Sequence, residues 1–459
     1  MNLVAVKNMM QDKIEYAGKT LVVGLGQTGM SVVRYLSNRC ESLAVTDSRD
    51  IPPGLDELKN DYPDIARFTG RFDELAFLSA DRLIVSPGIA LTEPMIQQAI
   101  DRGIPVLGDI ELFAQHVDKP VVVITGSNGK STVTTLLGLM AAEFKIKAGV
   151  GGNIGIPALD LLDAGNEFYI LELSSFQLET LSSMHPIASV VLNISEDHMD
   201  RYKGIDEYSD VKSSIYQNAS VAIVNLDDKR VSKMAADQNK IYFSMSEPNS
   251  ENDFGICNQQ GQQWLCQGSN LLCNKDDLLI AGDHNVANAL AALALGQASG
   301  FSNDAMLKAL KSFKGLIHRT QFVAKIDGVN YYNDSKATNV GACIAALEGL
   351  AKNDDSKSVV ILGGESKDAD FSELTSVIQS TCSAAILIGR DAKLVEKFIP
   401  STVRVILADT LLQAVTQAKE VAKSGDRVLL SPACASFDMF KNFEDRGDQF
   451  IQIVQGLEL

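Results

Sequence analysis

Short apolar runs alternate with amphipathic stretches along most of the chain, the pattern of parallel strands covered by helices. In the first hundred residues the runs Thr20–Gly24, Leu43–Thr46, Arg82–Val85 and Ile104–Leu107 read as strands, with helices from Gly29 to about Arg39 and near Glu93–Arg102. A second α/β unit begins with the strand after Pro120. It continues through Tyr169–Leu173, Ala188–Asn193 and Val221–Asn225, with helices near Gly204–Tyr216 and His284–Gly300. Between Ile241 and Ile280 the apolar pieces are short and set among Gln and Asn, which predicts hairpins. A third unit starts near Gly315 and repeats the pattern in Val359–Leu362, Ala385–Ile388, Val403–Leu407 and Val428–Leu430, with helices such as Leu411–Lys423. The expected fold class is therefore α/β in three domains, each a Rossmann-like or P-loop-like, mostly parallel sheet with flanking helices. The boundaries are placed at 1–108, 109–315 and 316–459, and 459 residues are enough for three separate cores.

Composition narrows the function classes. Hydrophobic content of 46% and charged content of 22% are those of a soluble globular protein. No apolar run reaches the length of a membrane span, and Asp12, Lys13 and Glu15 leave no signal-peptide core near Met1, so the expected location is the cytoplasm. A net charge of −17 argues against nucleic acid or an anionic membrane as partner, and the chain is expected to work as a monomer. The seven cysteines are odd in number and lack a Cys-x-x-Cys pair, which predicts free thiols and neither a disulfide framework nor a zinc site.

The densest chemistry lies in Val121–Thr132, where a β-branched strand enters Gly126-Ser127-Asn128-Gly129-Lys130-Ser131-Thr132 and then an apolar helix. Glycine-borne backbone amides and a helix N-terminus suit phosphate oxygens, Lys130 adds a positive charge, and Ser131 or Thr132 can ligate Mg²⁺. The loop departs from the common P-loop in having Ile124 where the first glycine is usual. Upstream, Gly24-Leu25-Gly26-Gln27-Thr28-Gly29 matches G-x-G-x-x-G between strand and helix, and Asp47 ends the next strand, where a ribose-binding carboxylate would sit. By itself that turn fits NAD, FAD or a UDP-sugar. Glu172 at one strand end and Glu196-Asp197-His198-Met199-Asp200 beyond another supply further metal and acid/base groups, whereas Lys212 alone reads as an exposed helical lysine. Asn333–Asn339 and Gly363–Lys367 repeat the polar-after-strand pattern in the third unit.

Taken in order, Thr125–Thr132, Gly152–Gly155, Leu171–Gln177, Glu196–Arg201, Lys212, His284-Asn285 with Asn288, His318-Arg319, Asn333–Asn339, Gly363–Lys367 and Ser431–Asp438 resemble the Mur ligases, and among these the D-glutamate-adding members. The family uses this shortened P-loop. The resemblance implies an ATP-dependent amide ligase that joins D-glutamate to UDP-N-acetylmuramoyl-L-alanine through an acyl-phosphate in peptidoglycan precursor synthesis. The alternative is another Mur ligase or a folylpolyglutamate synthase-like enzyme. It further implies ATP contacts at Gly126, Ser127, Asn128, Gly129, Lys130, Ser131, Thr132, Asn288, Arg319, Asp334 and Lys336. Two Mg²⁺ ions would be held by Ser131, Thr132, Glu172, His198 and a carbamylated Lys212, and Lys130, Glu172, His198 and Lys212 would be the catalytic set. The UDP-substrate would meet Gln27, Thr28, Asp47, Ser48, Arg49, Ser86, Gly88, Asn153 and His198. D-Glutamate would meet Thr338, Lys367, Ser436, Phe437 and Phe443.

Overall fold

The structure, a computed structural model, describes residues 16–235, 239–280, 282–351 and 356–457. The stretch containing Asp12, Lys13 and Glu15 lies outside the described residues. The apolar runs organise three sheets. The first contains β1 (Tyr16–Val23), β2 (Cys40–Asp47), β3 (Ala66–Thr69), β4 (Arg82–Val85) and β5 (Val106–Leu107), all parallel in the order 3-2-1-4-5. In this order strand addition switches from one side of β1 to the other between β3 and β4, and the crevice at the carboxyl ends of β1 and β4 is where open α/β sheets take ligands.

The second sheet is built on β6 (Val121–Thr125), whose five residues are all buried, as a strand covered on both faces requires. β7 (Ala148–Gly152), β8 (Phe168–Glu172), β9 (Ala188–Val191), β10 (Val221–Asn225) and β11 (Asn239–Phe243) are parallel to it, and β8 and β9 flank it directly. The hairpins expected between Ile241 and Ile280 are β12 (Phe254–Gln259), β13 (Gln262–Gln267) and β14 (Asn270–Asn274), antiparallel to one another. Two apolar helices, Lys130–Glu143 and Asp283–Ala298, share one core with this sheet through Val133, Leu136, Leu137 and Met140 on the first and Ala289–Leu295 on the second.

The third sheet has β15 (Gln321–Ile326), β16 (Val329–Asn333), β17 (Ser358–Gly363), β18 (Cys382–Ile388), β19 (Arg404–Leu407) and β20 (Arg427–Leu430) in the order 15-16-20-17-18-19. Only the β15–β16 pair is antiparallel. The sequence reading passes over this hairpin. Its mark is Asp327-Gly328, whose φ angles of 52° and 82° are those of the two-residue turn that matches strand twist.

One expectation is overturned. Cys257 and Cys266 form a disulfide, with Cα atoms 6.1 Å apart, while Cys40, Cys273, Cys343, Cys382 and Cys434 are free. The β12–β13 register puts Gly255 opposite Cys266 and Cys257 opposite Trp264, so the two thiols are diagonal neighbours across the hairpin. Cysteine spacing alone cannot show such a register.

Candidate active site

The P-loop follows from β6 and its neighbours. Gly126 and Gly129 have φ of 146° and 84°, so the loop curls with its amides inward, and a Cβ on Gly129 would run into Asn288 Oδ1. Asn193, just past β9, fastens the loop: its side chain accepts from Asn128 N at 2.8 Å and donates to Asn128 O at 3.1 Å. Ser127 Oγ donates to Ser195 O at 2.9 Å, and Ser195 N returns a bond to the same hydroxyl at 2.9 Å. Lys130 Nζ donates to Gly126 O and Ser127 O at 2.8 and 2.9 Å. Burial lowers its pKa against the opposing pull of Glu172 and Asp197.

Glu172 ends β8 beside this loop and is 2% exposed. Its Oε1 accepts from Asn153 Nδ2 at 2.8 Å, while Oε2 is buried with no hydrogen-bond partner. A buried carboxylate oxygen left unpaired is unfavourable, and an incoming hard cation satisfies it. Among the described residues no group of three His, Cys, Asp or Glu side chains could hold a metal. A Mg²⁺ ion at Glu172 would therefore draw its other oxygens from Ser131 or Thr132, phosphate and water, a donor set that suits this ion.

Lys212 departs most from its reading as an exposed lysine: it is 1% exposed. It stands on the helix Ile205–Ser213, and its Nζ donates to Thr125 Oγ1 at the end of β6 at 3.2 Å and lies 4.8 Å from the centre of the Tyr208 ring. Burial, with Lys130 nearby, drives its pKa far below that of an ordinary lysine. His198 sits at φ 60° in the turn after β9, its Nε2 3.7 Å from Asp197 Oδ2 and its ring edge-on to Phe176 at 4.6 Å. Burial holds its pKa down to about 4, so the ring is neutral at neutral pH and offers a lone pair.

The third sheet faces these groups. Arg319 Nη2 donates to Ser131 Oγ at 3.3 Å. Asp334 accepts from Ser431 Oγ at 2.7 Å and Thr320 N at 2.9 Å, and burial raises its pKa to about 6. Lys336 Nζ lies 3.6 Å from the centre of the Phe443 ring, and burial lowers its pKa to about 8. A cavity of about 490 Å³ runs between the second and third sheets, and Asn128, Gly129, Thr132, Asn288, Arg319 and Asp334 line it. Leu279, His284, Asn285, Thr320 and Phe322 line it too, although none was assigned a ligand from sequence. For Leu279 and Phe322 the available mark is structural: they are large apolar side chains left 57% and 53% exposed.

Beside it a small cavity brings Thr338 and Lys367 against Asp197 and His198. Lys367 Nζ lies 3.5 Å from Asp197 Oδ1, and Asn339 Nδ2 donates to Asp197 Oδ2 at 3.3 Å. Burial would raise the Asp197 pKa, yet His198, Lys367, Lys130 and the Asn339 bond together hold it below the usual carboxylate range. Ser436 is buried and does not line this cavity, and Phe437 is 68% exposed.

The first-sheet residues collect at the β1, β2 and β4 ends. Asp47 accepts from Leu25 N at 2.8 Å and from Arg49 Nε and Nη2 at 2.9 and 2.6 Å. Burial raises the Asp47 pKa but these bonds prevail and hold it low. Its carboxylate thus ties Leu25 of the glycine-rich turn to Arg49 and aims that side chain. Ser86 Oγ donates to Gly24 O at 3.2 Å, and Gln27 Nε2 reaches Gly155 O of the second unit at 3.3 Å. Thr28 is half-buried, and Ser48 and Gly88 are exposed on the same rim.

Comparison with known proteins fits this layout. Models described as Mur ligase MurD-like, N-terminal domain, Mur ligase middle domain, and Mur ligase, glutamate ligase domain match residues 18–108, 124–296 and 318–434. The chain is 48% identical over 440 residues to a UDP-N-acetylmuramoylalanine–D-glutamate ligase of Marinobacter nauticus, covering 96% of this chain and 98% of that one. It is 48% identical over 438 residues to the Pseudomonas aeruginosa protein of the same name, covering 95% and 98%. Among solved structures, a pseudomurein peptide ligase type C from Methanothermus fervidus superimposes with a TM-score of 0.61 at 18% identity, over 96% of this chain and 100% of that one. A folylpolyglutamate synthase from Mycobacterium tuberculosis gives 0.58 at 16%, over 83% and 99%, a likeness of fold alone. With three successive domain models matched and near-full-length relatives at this identity, the chain belongs to the Mur ligase family.

Proposed function

We propose that this chain is the ATP-dependent ligase that adds D-glutamate to UDP-N-acetylmuramoyl-L-alanine, a cytoplasmic step of peptidoglycan precursor synthesis. Enzymes of this family use ATP and Mg²⁺. The observation that carries the reading is the clustering of P-loop Lys130, the unpaired Glu172 oxygen and buried Lys212 around Asp197, whose neighbour His198 shares a cavity with Thr338 and Lys367 of the third unit. The names of the relatives supply the choice of D-glutamate over the acceptors of other amide ligases. Residues 1–108 would hold the UDP moiety, 109–315 ATP, and 316–459 the amino acid, in a working monomer.

The substrate carboxylate is a poor electrophile until phosphorylated. The P-loop amides, Lys130 and Arg319 would hold the triphosphate so that the carboxylate attacks the γ-phosphorus, giving an acyl-phosphate and ADP. The D-glutamate amine then adds to the acyl carbon, loses a proton, and expels phosphate. Mg²⁺, held at Glu172 with Ser131 or Thr132 and at a second position by His198 and carbamylated Lys212, would neutralise the charge on the phosphates. Burial favours that carbamate, because a neutral amine is the form that adds to CO₂, releasing a proton and leaving an anionic oxygen ligand where an ammonium would repel the ion. Asn288, Asp334 and Lys336 would complete the nucleotide site. Gln27, Thr28, Asp47, Ser48, Arg49, Ser86, Gly88, Asn153 and His198 would take the UDP-substrate. D-Glutamate would lie against Thr338, Lys367, Ser436, Phe437 and Phe443. The test is phosphate release with UDP-N-acetylmuramoyl-L-alanine, ATP and a panel of amino acids: turnover is expected only with D-glutamate, and turnover with another amino acid or with a folate acceptor would overturn the assignment.

A further inference from the structure

Arg201 closes the Glu196–Arg201 motif. It lies between the first and second sheets with its side chain only 14% exposed. Its guanidinium makes four attachments at once. Nη1 donates to Pro87 O at 2.9 Å and Nη2 to Ile89 O at 3.3 Å, both on the loop after β4. Nη2 also meets Glu179 Oε2 at 2.6 Å, and the group lies 4.0 Å from the centre of the Phe176 ring. Tyr202 donates to the other Glu179 oxygen at 2.7 Å and stacks on Phe176 at 6.1 Å, so Glu179 and Phe176 are themselves held. Phe176 then presents its ring to His198. The backbone runs the same way: Arg201 N and Tyr202 N donate to His198 O at 2.9 and 3.2 Å, closing the turn that keeps His198 at positive φ.

We propose that Arg201 is a positioning residue that locks the Ser86–Ile89 loop of the first unit to the His198 turn of the second, fixing the distance between the uridine and acyl ends of one extended substrate. It touches neither reacting atom. A planar fork is required, since only a guanidinium reaches two carbonyls and a carboxylate while its centre stands over a ring. The inference rests on the proposed function, because it presumes a substrate that spans both units.

The consequence is specific to a substrate long enough to touch both ends. Arg201→Met keeps an unbranched stem against Phe176 and removes the fork, and Arg201→Lys keeps the charge toward Glu179 but cannot make both loop bonds. In either variant the KM for UDP-N-acetylmuramoyl-L-alanine is expected to rise about tenfold or more, the loss of two or three hydrogen bonds to a charged donor. The KM values for ATP and D-glutamate should stay within about twofold, because the guanidinium touches none of the residues placed at those two sites. UDP alone, which meets only the first unit, should inhibit the variants nearly as well as the wild type. An equal loss for UDP and for the whole substrate would reduce Arg201 to a local brace of the β4 loop and overturn the proposal, as would unchanged KM values in both variants. A parallel rise in all three KM values with a lowered melting temperature would overturn it too, by making the residue a general support of the fold. Wild-type chain in the same assay separates the readings: absence of turnover there defeats the proposed function, whereas turnover with indifferent variants defeats only the locking role.

Discussion

Lys212 shows how far burial can change what a side chain does. The same lysine is a solvated cation on an open helix and, enclosed beside Thr125 and Tyr208, a group whose pKa burial drives well below that of an ordinary lysine. Lys212→Arg puts a guanidinium in this place that cannot form the carbamate, so turnover should fall by at least about a hundredfold, the scale of losing a preorganised charge-stabilising ligand. Intact mass under CO₂-buffered conditions should show the added carboxyl on the wild type alone, and an active Arg variant would rule the carbamate out. Asp109 gives a second residue-scale expectation. It is 2% exposed, accepts from Gln177 Nε2 at 3.2 Å, and burial raises its pKa from 3.8 to about 6. Between those values the folded chain keeps a proton that the unfolded chain releases, so this group's contribution is fully present below pH 3.8 and is lost as pH rises to about 6. Asp109→Asn removes the buried charge, and relative to wild type it should gain on the order of 2–3 kcal/mol between pH 4 and pH 7. Denaturant midpoints at the two pH values check this, and an offset that does not change with pH would contradict it.

At the scale of elements, the P-loop and its helix were legible because the residues that make the turn also make the site. Gly129 must adopt φ 84°, and the same glycine lets Asn288 approach from the helix Asp283–Ala298. Gly129→Ala therefore introduces left-handed strain of roughly 1–2 kcal/mol and a collision with Asn288. ATP affinity measured by calorimetry should drop more than about tenfold while helical content is kept. Retained ATP affinity would mean that this loop does not cradle phosphates. The β15–β16 hairpin was harder to see, although its Asp-Gly turn is written in the chain, because its strands are half-exposed and do not form a clean apolar run. The Cys257–Cys266 disulfide depended on strand register, which two-residue periodicity does not specify between partners.

For the whole molecule, the decisive feature is how the third unit meets the second. Asn339 and Asn128 exchange amide bonds at 3.2 and 3.4 Å, Lys367 reaches Asp197, and a Cβ on Gly341 would come within 3.1 Å of Ser195 Oγ. The connecting segment Phe313–Leu316 carries Gly315 at φ 89°, a natural pivot if the units separate to admit substrates. Small-angle scattering should then show compaction when an ATP analogue and the UDP-substrate are added together, and an unchanged profile would fix the units in one arrangement. Lys367→Ala should raise the KM for D-glutamate by well over tenfold, since truncating one partner of a buried charge pair is worth roughly 2–5 kcal/mol, and leave the KM for ATP nearly unchanged. The reverse pattern would assign the lysine to the phosphates. The sequence alone determined the buried central strands, the two glycine-rich turns and the ordered motifs of the family, because backbone conformation and burial of apolar runs are local properties that residue type and spacing specify. Tertiary structure decided that Glu172 keeps an unpaired oxygen, that Lys212 is enclosed, that Asp47 holds the β1 turn at Leu25, and that Arg201 joins two units. Each of these depends on which distant groups share one low-dielectric space, and neither spacing nor periodicity along a chain carries that information.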